Sequence, residues 1–108
     1  MGFLSKLFAK PYATVSAQQA QDLVREGAVL ADVRTPAEWR LGHARRAHHM
    51  PLDALPTRIT GLRKDRPVVA ICASGIRSAA AARQLAAAGI TAYSVRGGMG
   101  AWRAAGLD

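Results

Sequence analysis

The run Val68-Val69-Ala70-Ile71-Cys72-Ala73-Ser74-Gly75-Ile76-Arg77-Ser78, continuing into the alanine-rich segment 79–88, decides the fold. Its first four residues are continuously apolar, which marks a strand buried on both faces. The alanines that follow favour a helix, with Ser78 as its N-cap and Gly89 as its stop. Cys72 therefore falls on the turn between a buried strand and a helix. If residues 73–77 curl around its sulfur, their N–H groups converge on it and the helix adds its positive N-terminal end. Both effects favour a thiolate over a thiol. Gly75 permits a positive φ in the middle of the turn, and Arg77 sets a permanent positive charge at its end. A lone cysteine at a strand end is more often a small core residue; the Gly, Arg and Ser that follow reverse that balance here.

Outward from this unit, the same alternation repeats. Strands are expected at 12–15, 28–33, 47–50 and 91–95. Ser16 with Gln19 and Thr35 with Glu38 have capping-box spacing, so helices should start at each, the second with Pro36 at its first position. The first ends at Gly27 and the second near Gly42. Residues 52–63 hold a helical turn or two interrupted at Pro56, and a last helix over 99–105 packs Trp102. Strands separated by helices imply a parallel sheet covered on both faces, joined by right-handed crossovers. Sites in such sheets lie at the carboxyl ends of strands, where Cys72, Asp32 and Arg34 all fall.

These residues carry a resemblance. CASGIRS at 72–78 resembles the CxxGxRS active loop of rhodanese-like domains, the sulfurtransferase family. LADVRTPAEW at 30–39, Gly42-His43, Met50-Pro51-Leu52 and RGGMGAW at 96–102 follow that family's order. The likeness runs from about Tyr12 to the C-terminus, so residues 1–11 read as an N-terminal tail or short amphipathic helix and 12–108 as one domain. The resemblance implies an α/β rhodanese-like fold with about five parallel strands and helices on both faces.

It also implies chemistry. Cys72 would take a sulfane sulfur from thiosulfate or a persulfide donor, hold it as a persulfide, and pass it to a thiol or cyanide. Ala73, Ser74, Gly75, Ile76, Arg77 and Ser78 would form the substrate cradle, with no cofactor and no metal. Asp32, Arg34 and Glu38 would support the loop, Asp32 by accepting from it or by pairing with Arg77. Arg77 has two open roles, binding the donor's anionic part or turning back to Asp32 or Glu38 as an anchor.

The chain departs from the family at several positions. Ala73 and Ser74 carry no charge where thiosulfate-using members often place basic side chains, and Glu38 stands where two-domain members can have a basic residue. Thiosulfate is therefore expected to turn over with a poor KM. Arg45 and Arg46 stand where the family usually has a proline or small residue and then glycine; they either steer an anionic donor or acceptor or lie in solvent.

Competing chemistries fit less well. A phosphatase loop has five residues between its Cys and Arg, whereas four separate Cys72 from Arg77, too tight a wrap for phosphate. The alternative from another class is a sulfur-relay or binding module that works only with a partner protein as acceptor. His43, His48 and His49 lack thiol or carboxylate neighbours at ligand spacing, so a metal site is not expected.

Composition sets the remaining bounds. The 108 residues suffice for one domain with one core, half of them hydrophobic. A single cysteine excludes an internal disulfide and leaves a free thiol, suited to a reducing compartment. The net charge of +8 would attract anionic substrates or acidic partners. Nucleic acid is not expected, because the few aromatics are not interleaved with the basic residues. Residues 1–10, with Phe3, Leu4, Leu7 and Phe8 at helical spacing, bury too little for membrane contact to be the expectation. No apolar run reaches membrane-spanning length and no leader pattern is visible, so a cytoplasmic location is expected.

Overall fold

The computed structural model describes residues 10–108; the amphipathic helix considered for residues 1–10 falls almost wholly outside the described residues. The elements are β1 (Ala13–Val15), α1 (Ala17–Arg25), β2 (Val29–Asp32), α2 (Pro36–Arg40), β3 (Ala47–His49), a 3₁₀ turn (Leu52–Ala54), α3 (Leu55–Ile59), β4 (Val68–Ile71), α4 (Ile76–Ala87), β5 (Ala92–Val95) and α5 (Gly98–Ala104). The five strands form one wholly parallel sheet in the order β1-β5-β4-β2-β3. The central strands β2 and β4 are buried throughout, which is why their sequences VLAD and VVAI are almost continuously apolar.

Two cores lie on the two faces. Val68, Ala70 and Cys72 point to one, with Leu55 of α3 and Ala81, Ala82 and Leu85 of α4. Val69 and Ile71 point to the other, with Ala17 and Ala20 of α1 and Met99 and Trp102 of α5. This is the two-residue alternation of a strand covered on both sides. Alanine at Ala70, Ala81 and Ala82, all at 0% exposure, lets α4 lie close over β4, so the start of α4 stays near the end of the strand. Burying a side chain such as Leu85 contributes roughly 1.5–3 kcal/mol to that packing.

Both capping boxes form as their spacing predicts. Ser16 Oγ accepts from the Gln19 N–H at 3.1 Å and Gln19 returns the bond at 2.8 Å. Thr35 and Glu38 do the same at 3.2 and 3.1 Å. Two expectations are corrected. Pro56 does not interrupt a helix; it occupies the first turn of α3, where its missing N–H costs nothing. Ser78 is not an N-cap. The helix starts two residues earlier, at Ile76, with Gly75 as the cap at φ +118°. Glycine alone takes that backbone readily, and it brings the helix terminus directly onto the turn at Cys72. Among the described residues no helix is long and apolar enough to cross a membrane.

Candidate active site

Cys72 follows β4 at its carboxyl end, next to the end of β2, where Asp32 pairs in register with Ile71. The Gly75 N–H donates to Cys72 Sγ at 3.0 Å, and Ser78 Oγ lies 3.4 Å from the same sulfur. Burial pushes the Cys72 thiol up, but the hydroxyl and N–H of Ser78 and the N–H groups of Gly75 and Ser74 pull it down further. The balance lies below the thiol's ordinary value. Among the described residues the sulfur's hydrogen-bond partners are Gly75 and Ser78, with no histidine or other base among them, and Cys72 is 1% exposed.

The surrounding loop divides sharply by exposure. Ala73 and Ser74 are exposed, Gly75 and Arg77 are partly buried, and Ser78 is buried. Ile76 projects its apolar side chain outward, 81% exposed. The loop is held from below by α5. The Met99 N–H donates to the Cys72 carbonyl at 2.7 Å, and Gly98 approaches so closely that a Cβ there would overlap that carbonyl and stand 2.6 Å from the Ala73 carbonyl. The close approach that requires glycine at 98 is set by packing between segments distant in the chain.

The supporting residues separate into two pairs. Arg77 of α4 donates to Glu38 of α2 at 2.6 and 2.9 Å, so its guanidinium turns back to Glu38 rather than to Asp32. The Arg77 fork, with Thr35 helping, holds the Glu38 carboxyl down to about 2. Asp32 and Arg34 form the second pair, almost wholly buried. Arg34 donates to both carboxylate oxygens through Nε and Nη2 at 2.7–3.1 Å, and its own N–H reaches Asp32 Oδ1 at 3.0 Å. Arg34 also reaches the Gly42 carbonyl at 2.7 Å. Asp32 thus neither accepts from the active loop nor pairs with Arg77, as had been expected; the nearer guanidinium, two residues along, takes both of its oxygens. This pair ties the end of β2 to the end of α2, and α2 in turn holds Arg77.

One cleft of about 370 Å³ reaches the loop at Arg77 and is lined also by Pro36, Pro51, Leu52 and Asp53 among others; a second of about 420 Å³, beyond Glu38, is lined by Leu41, Met99, Trp102 and Arg103 among others. The remaining sequence candidates sit elsewhere. His43 and His49 stack on Trp39 with ring centroids at 3.4 and 4.7 Å, and His43 Nδ1 meets the Trp39 carbonyl at 2.9 Å, a contact that holds the α2-to-β3 connection. Arg45 and Arg46 precede β3 and so lie at the amino end of the sheet, opposite Cys72.

One buried polar residue beside the site has little signal in the sequence. Ser94, buried at the centre of β5, places its hydroxyl 2.8 Å from Ser78 Oγ. Its only signal in the sequence is a polar residue inside an otherwise apolar strand.

Comparison with known proteins gives a consistent result. The model of the rhodanese-like domain matches residues 16–105. A "Thiosulfate sulfurtransferase GlpE" from Ectopseudomonas mendocina is 38% identical over 94 residues, covering 86% of each chain. Among solved structures, a rhodanese-like domain protein from Staphylococcus aureus is 32% identical with a TM-score of 0.78, over 89% of this chain and 96% of its own. A rhodanese-related protein from Thermoplasma volcanium is 29% identical with a TM-score of 0.82, over 90% and 96% of the two chains.

Proposed function

The chain belongs to the rhodanese-like domain family, and from that premise we propose that it is a thiosulfate or persulfide sulfurtransferase working through Cys72. The observation that carries the proposal is the sulfur itself, at the amino end of α4, 3.0 Å from the Gly75 N–H and 3.4 Å from the Ser78 hydroxyl. The relatives named as thiosulfate sulfurtransferases support the donor class.

The Cys72 thiolate attacks the outer sulfur of thiosulfate; the new S–S bond forms as the old one breaks, and sulfite leaves with the bonding pair. Negative charge now rests on the terminal sulfur of the persulfide, within reach of the exposed N–H groups at the loop and helix start. A nucleophile such as cyanide or a thiolate then takes that sulfur and regenerates the Cys72 thiolate. Ala73 and Ser74 form the entrance, Gly75 and Ser78 face the sulfur, Ile76 meets the acceptor, and Arg77 holds the loop in place.

The donor preference follows from charge. The guanidinium nearest the loop, Arg77, is neutralised by Glu38, and Ala73 and Ser74 add no cation. A dianion gains little from this entrance, so thiosulfate should bind weakly, with KM above the submillimolar range, and a less highly charged persulfide should be the better donor.

Intact-protein mass after incubation with thiosulfate, alongside Cys72→Ser and followed by cyanide, tests the proposal. One added sulfur on the wild type alone, removed by cyanide as thiocyanate forms, is the expected result; no gain with thiosulfate or a persulfide would overturn it. The second reading, a relay serving a protein acceptor, draws on the outward Ile76 beside the nucleophile. Loading from a persulfide but not from thiosulfate would favour it.

A further inference from the structure

We infer that the hydroxyl of Ser94 is a positioning group for the nucleophile, holding the Ser78 proton available to the Cys72 sulfur. The inference rests on the proposal above that Cys72 is the sulfur-carrying nucleophile, and it follows from counting protons in a buried cluster.

Ser78 is 0% exposed and Ser94 2% exposed. The Ser78 hydroxyl has one proton and three neighbours: the Gly75 carbonyl at 3.1 Å, Cys72 Sγ at 3.4 Å and Ser94 Oγ at 2.8 Å. Among the described residues Ser94 Oγ has one hydrogen-bond partner, Ser78 Oγ. A buried hydroxyl proton without an acceptor is costly, so Ser94 donates to Ser78. The Ser78 proton is then left for Gly75 or for the sulfur.

The cluster can alternate between those two without orphaning any group. In the thiol state the Cys72 S–H donates to Ser78 Oγ, and Ser78 donates to the Gly75 carbonyl. When the thiol loses its proton to solvent, the Ser78 hydroxyl turns onto the sulfur. The Gly75 carbonyl keeps its bond from the Ala79 N–H at 3.2 Å, so the turn leaves it satisfied. The bond accepted from Ser94 polarises the Ser78 O–H and strengthens its donation to the thiolate. Once the persulfide forms, the charge moves to the terminal sulfur and Ser78 swings back. Ser94 thus acts on the sulfur only through Ser78.

The charged groups around the loop remain in place throughout. They are Arg77 of α4 with its partner Glu38 of α2, and the buried Asp32–Arg34 pair at the end of β2. The first turn of α5, Gly98 to Gly100, carries none, and Tyr93 of β5 packs on the opposite face of the sheet.

The test is the pH dependence of Cys72 alkylation by iodoacetamide, followed by intact mass, in the wild type, Ser94→Ala, Ser78→Ala and the double variant. Thermal unfolding of each is recorded in parallel. Ser94→Ala should raise the midpoint by about 0.5–1 pH unit, the effect of one hydrogen bond. Ser78→Ala should raise it at least as far, and Ser94→Ala should add nothing in the Ser78→Ala background. An unmoved midpoint in Ser94→Ala, or an equal shift in both backgrounds, would overturn the inference. The readout is independent of turnover. A wild type that takes no sulfur from any donor, while Ser94→Ala still shifts the midpoint only through Ser78, would sink the sulfurtransferase proposal and leave Ser94's role standing.

Discussion

Arg77 and Glu38, thirty-nine residues apart in the chain, meet as a two-bond fork, Nη1 at 2.6 Å from Oε1 and Nη2 at 2.9 Å from Oε2. The fork joins the first turn of α4, the helix that follows the Cys72 loop, to α2 across the sheet end. Both terminal nitrogens are engaged with the carboxylate, which ties the loop end to α2.

Geometry, more than charge, should therefore decide the effect of replacing it. Arg77→Lys keeps the charge and loses the two-pronged match to a carboxylate. Both Arg77→Lys and Arg77→Ala should slow persulfide formation, roughly ten- to hundred-fold, as expected for a displaced reacting loop. Single-turnover mass measurements check this, and full activity in Arg77→Lys would return the residue to a purely electrostatic role.

The same pair predicts a pH effect on stability. Glu38 is held at about 2, below its ordinary value of 4.5. A carboxyl with a depressed folded-state pKa contributes stability that is fully present above 4.5 and is lost as pH falls toward 2. Because the pair is about one-third exposed, solvent screening keeps the contribution within about 1 kcal/mol. Denaturant titrations of wild type and Glu38→Gln should converge as pH drops through that window; a constant difference down to its lower end would refute the assignment.

Cys72 should alkylate as a thiolate with a midpoint below the ordinary 9.0. The sign follows from Ser78, Gly75 and Ser74, whose donors outweigh the effect of burial. Stopped assays of iodoacetamide incorporation against pH will give the midpoint, and one at or above the ordinary value would mean that burial dominates.

Gly98 and Gly106 both have positive φ, +53° and +73°, but differ in surroundings. A Cβ at Gly106 meets nothing within 4 Å, whereas at Gly98 it overlaps the backbone at Cys72 and Ala73. Gly106→Ala should cost about 1 kcal/mol, the left-handed penalty alone. Gly98→Ala should cost about 1–3 kcal/mol more and impair sulfur loading, because the backbone it displaces carries the nucleophile. Equal midpoints of thermal unfolding for the two variants would contradict the close approach.

Arg45 and Arg46 stand at the amino end of the parallel sheet, and β3 alone separates their level from that of Cys72 by roughly 10 Å or more. That exceeds the Debye length of about 8 Å at physiological salt. Replacing both by Glu should leave the KM for thiosulfate unchanged at that ionic strength, and a several-fold rise would restore the steering role.

The order of elements, both capping boxes, the parallel sheet with its two covers, and the position of Cys72 between β4 and α4 are legible in the residues alone. Each of these is written in short-range signals: apolar runs, caps three residues from their partners, and a glycine where the backbone turns left-handed. The tertiary structure decided everything that depends on which distant segments meet. Asp32 is satisfied by Arg34 while Arg77 is satisfied by Glu38, a choice between carboxylates that no spacing encodes. Ser78 reads as a cap by residue type, yet its hydroxyl turns inward because Gly75, Cys72 and Ser94 surround it. Gly98 must be glycine because α5 rests on the Cys72 carbonyl, and Ser94 is polar because β5 runs beneath the start of α4. Hydrogen-bond partners and steric limits at a buried site are properties of the assembled core, so they become legible only once the strands are in register.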